Sequence, residues 1–247
     1  MTQTPGAAME GGTERSAAAR FKDRAREIAH AVVHPVVRAL AGAGVTANMI
    51  SGVGLLLSLL AALAFFEGGF RLGSALLIAS GLCDILDGEL ARETRSVTRF
   101  GAFIDSTLDR IAEGIVIIGI AGFYVVNLVD LASNPNRVLS ELSRGLEPRT
   151  WAVVALTALV ALLGSFLVSY TRARAEGLGL DCKVGWFERP ERMVLLIVAG
   201  LFGVGPFMPG ALLVLAVMSF VTAGQRIRHV HRITRDRPPG AESPQEV

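Results

Sequence analysis

Six apolar stretches decide what this chain can fold into. They run over residues 47–66, 72–90, 100–128, 151–170, 193–207 and 211–222, and the segments 55–66 and 153–168 within them contain no charged residue. A helix rises about 1.5 Å per residue, so roughly 20 apolar residues match the hydrocarbon core of a bilayer. The last two stretches are short and need flanking residues to cross. The expectation is an all-α polytopic membrane protein with six transmembrane helices. A soluble helical bundle is the alternative, but 51% hydrophobic residues and a mean hydropathy of +0.50 over 247 residues are too apolar for an ordinary soluble domain.

The basic residues orient the spans. Six spans put both termini on one side, together with the segments around 92–99 and 172–192; that side then holds nineteen Lys and Arg residues. The opposite loops hold Arg71, Arg137, Arg144 and Arg149. The positive-inside rule places the nineteen in the cytoplasm, in a multi-pass protein of the plasma membrane. Residues 1–19, rich in Gly, Ala, Thr and Glu, read as a disordered tail without a secretory signal. Over 20–43, Phe21, Ala25, Ile28, Val32, Val36 and Ala39 recur at helical spacing beside Lys22, Arg24, Arg26 and His30, which predicts an interfacial amphipathic helix. A membrane domain over 44–232 and a proline-containing tail over 233–247 complete the division.

Where the second span ends and the third begins the chain reads Cys-Asp84-Ile-Leu-Asp87-Gly88-Glu-Leu-Ala91-Arg92, then Gly101-Ala-Phe-Ile-Asp105-Ser-Thr-Leu-Asp109. At about 100° per residue, Asp84, Asp87, Gly88, Ala91 and Arg92 share a stripe on one helix, and Gly101, Asp105 and Asp109 share one on the next. Four carboxylates therefore converge next to apolar runs, where they repel one another unless cations join them. Hard oxygen donors select Mg2+ or Mn2+, and carboxylates from two helices suit two divalent cations about 3.5–4 Å apart, an arrangement that clamps a diphosphate. Gly88, Ala91 and Gly101 lack bulk on those faces and leave room for a nucleotide, while Arg92 is placed to fork onto a phosphate. A plain polar loop between two helices is the duller reading of the same residues.

The pattern D-x2-D-G-x2-A-R-x8-G-x3-D-x3-D resembles, at all eight fixed positions, the signature of the CDP-alcohol phosphotransferase family of membrane enzymes. The resemblance extends over about residues 40–230, with one departure before the first span, where Thr46-Ala47-Asn48 stands for the family's T-P-N. It implies a CDP-linked lipid donor, most simply CDP-diacylglycerol, with Asp84, Asp87 and Asp105 as metal ligands. It also implies Asp109 as the general base that deprotonates the acceptor hydroxyl, with or without touching a metal. No residue stands ready as a covalent nucleophile, so direct transfer with departure of CMP is the simpler scheme. Family members are usually homodimers; the expected partners are otherwise the bilayer, the donor lipid and a small acceptor, with no nucleic acid.

A second region bears on the acceptor. The runs Ser169-Tyr-Thr-Arg172-Ala-Arg174-Ala-Glu176 and Glu188-Arg189-Pro190-Glu191-Arg192, with Gln225-Arg226 in the last span, resemble the family branch that makes phosphatidylinositol phosphate and its archaeal ether-lipid relatives. That resemblance implies Arg172, Arg174, Arg192 and Arg226, with Arg189, as ligands of the phosphate of a phosphorylated polyol such as inositol phosphate. Arg172 replaces a lysine of those relatives, which keeps the charge and changes the geometry. The 177–185 loop also differs, with Asp181, Cys182 and Lys183. A phosphatidylglycerophosphate synthase using glycerol 3-phosphate is the nearest alternative. A membrane prenyltransferase carries its acidic motifs far apart in sequence, and an ion transporter with a carboxylate relay has no use for the paired glycines or Arg92.

Overall fold

The computed structural model describes residues 34–96, 98–134, 136 and 148–235. Every regular element among them is a helix: α1 covers residues 34–42, α2 is Ala47–Phe66, α3 Phe70–Glu93, α4 Arg99–Ser133, α5 Pro148–Glu176, α6 Arg189–Leu201 and α7 Phe207–Arg235. Local chemistry marks where these helices begin. Thr46 Oγ1 accepts from the Met49 amide and Thr98 Oγ1 accepts from the Gly101 amide at 2.9 Å, each satisfying one of the amides a helix start leaves without an intrahelical partner. Pro190 stands in the first turn of α6, where its missing N–H is no loss.

The helices close into a ring. α2 packs on α3, α3 on α6, α6 on α7, α7 on α5, α5 on α4, and α4 returns to α2. Small residues allow the close crossings: a Cβ on Gly119 would collide with the Ala62 carbonyl where α4 meets α2, and one on Gly200 would collide with Ser74 Oγ where α6 meets α3. Ser58 and Ser80 share a hydrogen bond of 2.8 Å across α2 and α3, and Ser80 Oγ also donates to the Gly54 carbonyl at 2.9 Å. Ala61, Ile117, Ala158, Leu196 and Leu212 are buried between helices, whereas Leu56, Leu63, Leu156, Leu163 and Leu213 lie exposed on the outside. An exterior as apolar as the core, with small residues at the helix crossings, suits lipid rather than water.

Among the described residues four helices are long and apolar enough to cross a membrane: α2, α4, α5 from Arg149, and α7. Of the six expected spans, the other two fall short by this measure, because α3 carries Asp84, Asp87 and Glu89 in its second half and α6 has 13 residues. The expected interfacial helix over 20–43 is described only from residue 34; there it is helical to residue 42, and its Val37 packs on Ile50 and Leu90. The tail expected over 1–19, and residues 236–247 of the other tail, lie outside the described residues. α7 continues to Arg235, past the expected domain end at 232, with Val230 and Ile233 packed on Leu180 and Cys182.

Candidate active site

Only residues 94–98 separate α3 from α4, and Arg95 makes the turn with a left-handed φ of 50°. At about 1.5 Å per residue, Asp84 lies roughly 14 Å from the end of α3, while Asp105 and Asp109 lie roughly 9 and 15 Å into α4. The short connection thus brings Asp84 to a depth between those of Asp105 and Asp109. One carboxylate oxygen each from Asp84, Asp105 and Asp109 lies within 4.8 Å of the others. Asp87, nearly a turn further along α3, is 7% exposed and accepts a 2.6 Å hydrogen bond from Ser51 Oγ of α2. Of the four aspartates singled out by the sequence, three converge, and the fourth shares with Asp84 and Arg189 a cleft lined also by Ser80, Leu108 and Ala112.

The cleft is closed from across the ring by the first residue of α6. Arg189 Nη1 lies 3.1 Å from Asp84 Oδ2 and 2.9 Å from Asp109 Oδ1, so one guanidinium nitrogen bridges two carboxylates. Its Nε is buried without a protein partner. Arg110 Nη1 adds a contact of 3.6 Å to Asp109 Oδ2. Four carboxylates against two guanidinium groups leave negative charge uncompensated, and every ligand atom offered is a hard oxygen. This donor set fits Mg2+ or Mn2+ and does not suit a soft metal.

The remaining motif residues divide. A Cβ on Gly88 would have only Arg92 Nη2 within 4 Å, at 3.8 Å, so open space lies in front of this glycine. Arg92 reaches back to Glu89 Oε1 at 2.8 Å with its side chain 65% exposed, and Ala91 is half-buried beside it. Gly101 has a different local reason: its amide is capped by Thr98 Oγ1, which lies 3.0 Å from where a Cβ would stand.

Among the five arginines of the second region, Arg189 alone is paired with an aspartate of the cluster. Arg172 is half-buried, with Nε donating to Glu176 Oε1 at 2.9 Å and Nη1 3.7 Å from Glu188 Oε1; Arg174 is exposed. Arg226, 2% exposed, donates from Nε to the Val184 carbonyl at 2.8 Å, from Nη1 to the Val168 carbonyl, and from Nη2 to Glu188 Oε1 at 2.9 Å. Arg192, 1% exposed, forks onto Glu113 through Nε at 2.5 Å and Nη2 at 2.8 Å, and its Nη1 donates to the Phe187 carbonyl at 3.3 Å. Buried, bidentate pairing leaves Arg192 few donors for a ligand.

Sequence reasoning passed over Ser51, Glu113 and Ser165, and gave Glu188 no role. A signal for Glu113 existed, since it is the only charged residue between Arg110 and Asp130, and a charge in an apolar run needs a partner. The serines carry no comparable mark.

A closed ring of helices, four of them long and apolar enough to cross a membrane, with an oxygen-only carboxylate cluster and an arginine of α6 at one end, defines a class of integral membrane protein built to handle phosphates through divalent cations. The chain belongs to the CDP-alcohol phosphatidyltransferase family, which it matches over residues 44–222. It is 38% identical to the archaetidylinositol phosphate synthase of Methanothermobacter thermautotrophicus over 187 residues, 74% of this chain and 82% of that one. It is 33% identical to the phosphatidylinositol phosphate synthase of Mycolicibacterium smegmatis over 217 residues, 85% and 86% of the two chains. The phosphatidylinositol phosphate synthase of Mycobacterium tuberculosis, solved with CDP-DAG bound, superposes with a TM-score of 0.69 at 29% identity, covering 87% of this chain and 99% of that one. The same protein in complex with manganese and citrate gives 0.67 at 29% identity, covering 85% and 92%.

Proposed function

We propose that the protein transfers the phosphatidyl group of CDP-diacylglycerol to a hydroxyl of inositol phosphate, giving phosphatidylinositol phosphate and CMP. The observation that carries this reading is the convergence of Asp84, Asp105 and Asp109 beside Asp87 in a family whose signature this is. The acceptor follows from the relatives, which bear the names archaetidylinositol phosphate synthase and phosphatidylinositol phosphate synthase.

Asp84, Asp87, Asp105 and Asp109 are the residues that would hold two divalent cations, Mg2+ or Mn2+. When bound, these cations neutralise the donor diphosphate and make its phosphorus a better electrophile. Gly88 and Ala91 leave the nucleotide room against α3, Gly101 keeps the start of α4 slim, and Arg92 turns from Glu89 to a phosphate oxygen. Asp109 takes the acceptor hydroxyl proton on a carboxylate oxygen as general base, the hydroxyl oxygen bonds to the lipid-side phosphorus, and the bond to the CMP oxygen breaks. Arg189, with Arg172 and Arg174 near the mouth, receives the acceptor's phosphate. Arg192 and Arg226 stand behind them, their donors engaged by Glu113, Glu188 and backbone carbonyls, and shape that pocket from within.

In this reading α3 and α6 complete six spans, the latter with help from residues 202–206, and residues 20–43 lie in the membrane interface. Residues 1–19 and those after Arg235 are tails flanking a membrane domain that begins at 44 and, beyond the expected 232, runs to the end of α7. The arginine-rich side, with both termini and the aspartates, faces the cytoplasm of a plasma-membrane protein, in agreement with the bias of basic residues. The protein acts as a homodimer.

The test is a panel of acceptors. Purified protein with CDP-diacylglycerol and Mg2+ is offered inositol 1-phosphate, glycerol 3-phosphate, serine or free inositol, and CMP and the lipid product are measured. Turnover with inositol 1-phosphate alone is expected; turnover with glycerol 3-phosphate instead would overturn the acceptor assignment.

A further inference from the structure

Asp109 and Glu113 are four residues apart on α4, and Arg189 and Arg192 are three apart on α6, so each pair lies on one face of its helix. The two faces meet as a ladder. The first rung joins Arg189 Nη1 to Asp109 Oδ1 at 2.9 Å; the second, one turn deeper, joins Arg192 to both oxygens of Glu113. The second rung is buried on both sides, with Arg192 1% and Glu113 3% exposed. A third helix fixes it, since Ser165 Oγ of α5 donates to Glu113 Oε1 at 2.5 Å.

A buried bidentate pair is rigid, because either partner left alone would be an uncompensated charge away from water. We infer that Glu113 is a positioning residue: through Arg192 it sets the rotation and height of the first turn of α6, and so the place from which Arg189 reaches the cleft. The hydrogen bonds of Glu113 go to Arg192 and Ser165 and not to the aspartates, so its action is on the binding of the phosphorylated acceptor rather than on the donor lipid. The inference rests on the acceptor reading given above.

The experiment compares Glu113→Gln and Ser165→Ala with the parent protein, using inositol 1-phosphate and CDP-diacylglycerol at a temperature where all are folded. Parent turnover with inositol 1-phosphate is measured first; if the parent does not turn it over, the acceptor reading fails, whatever the variants do. Given that turnover, Glu113→Gln should raise the KM for inositol 1-phosphate about tenfold, as expected for loss of one charge-assisted contact, and Ser165→Ala should raise it by roughly threefold. The KM for CDP-diacylglycerol should stay within about twofold of the parent, below one hydrogen bond's worth. Should Glu113→Gln fail to fold, the double variant Glu113→Gln/Arg192→Met removes both charges and carries the test, with the same raised acceptor KM expected. A lower unfolding temperature with both KM values unchanged, in the single or the double variant, would make the ladder purely structural and overturn the inference.

Discussion

The two ends of the ring are built on opposite rules. At one end Phe65, Phe70, Phe123, Tyr124 and Trp151 pack ring against ring, with centroids 5.4 Å apart for Phe65 and Phe70, 5.0 Å for Phe70 and Phe123 and 5.3 Å for Phe123 and Tyr124, all near edge-to-face. Four helices are joined there by non-directional burial. At the other end α3 and α4 carry like charges, both lean on the uncharged α2, and the gap between them is spanned by Arg189 of α6. Close packing holds the fold at the aromatic end. Charge at the other end keeps open the space in which a reaction can occur.

This contrast is sharpest at the carboxylates, where changes should remove chemistry and leave the fold. Asp84→Asn or Asp105→Asn is expected to abolish CMP release while the thermal unfolding midpoint, followed by circular dichroism, stays close to the parent value. Asp109→Asn should retain CDP-diacylglycerol binding and lose on the order of 10²–10⁴ in turnover, the worth of general-base assistance. If binding is lost instead, Asp109 serves chiefly as a metal ligand. Next in size, Arg189→Gln should raise the KM for inositol 1-phosphate about tenfold and leave that for CDP-diacylglycerol nearly unmoved, since one charge-assisted hydrogen bond contributes about 1.5–3 kcal/mol. Arg95→Gln, a cation of the same end but in the turn, should change neither constant. The smallest kinetic effect belongs to the aromatic end: Phe70→Ala should lower folded stability by about 3–5 kcal/mol, read as a lower unfolding temperature, with both KM values intact. A shifted acceptor KM there would break the division between the two ends.

Much of the site was legible because its spacing is local. The aspartates are placed by helical period and a short hairpin, so D-x2-D and D-x3-D predict the cluster without knowledge of the ring. The difference between Asp87 and the other three was not legible, since Ser51 comes from a helix with no polar pattern of its own. The arginines show the same limit. Basic residues at a membrane face read alike in sequence, yet Arg189 reaches the carboxylates and Arg192, one turn away, is buried against Glu113, a distinction made by which helix lies opposite. Helix packing was not legible in this way: Gly73 meets the Phe65 ring, whereas Gly52 and Gly81 face open space and the tightest crossings fall at Gly119 and Gly200. Those contacts depend on ring order, which no single helix encodes.

Divalent-cation binding tests most directly whether the converging carboxylates are the working centre. Mn2+ is titrated into the purified protein and followed by electron paramagnetic resonance, with CDP-diacylglycerol-dependent CMP release measured on the same samples. The parent protein should bind Mn2+ saturably and release CMP in proportion to occupancy, and Asp84→Asn and Asp105→Asn should lose both together. Unchanged Mn2+ binding in those variants, or full CMP release after chelation, would contradict a centre built on Asp84, Asp105 and Asp109.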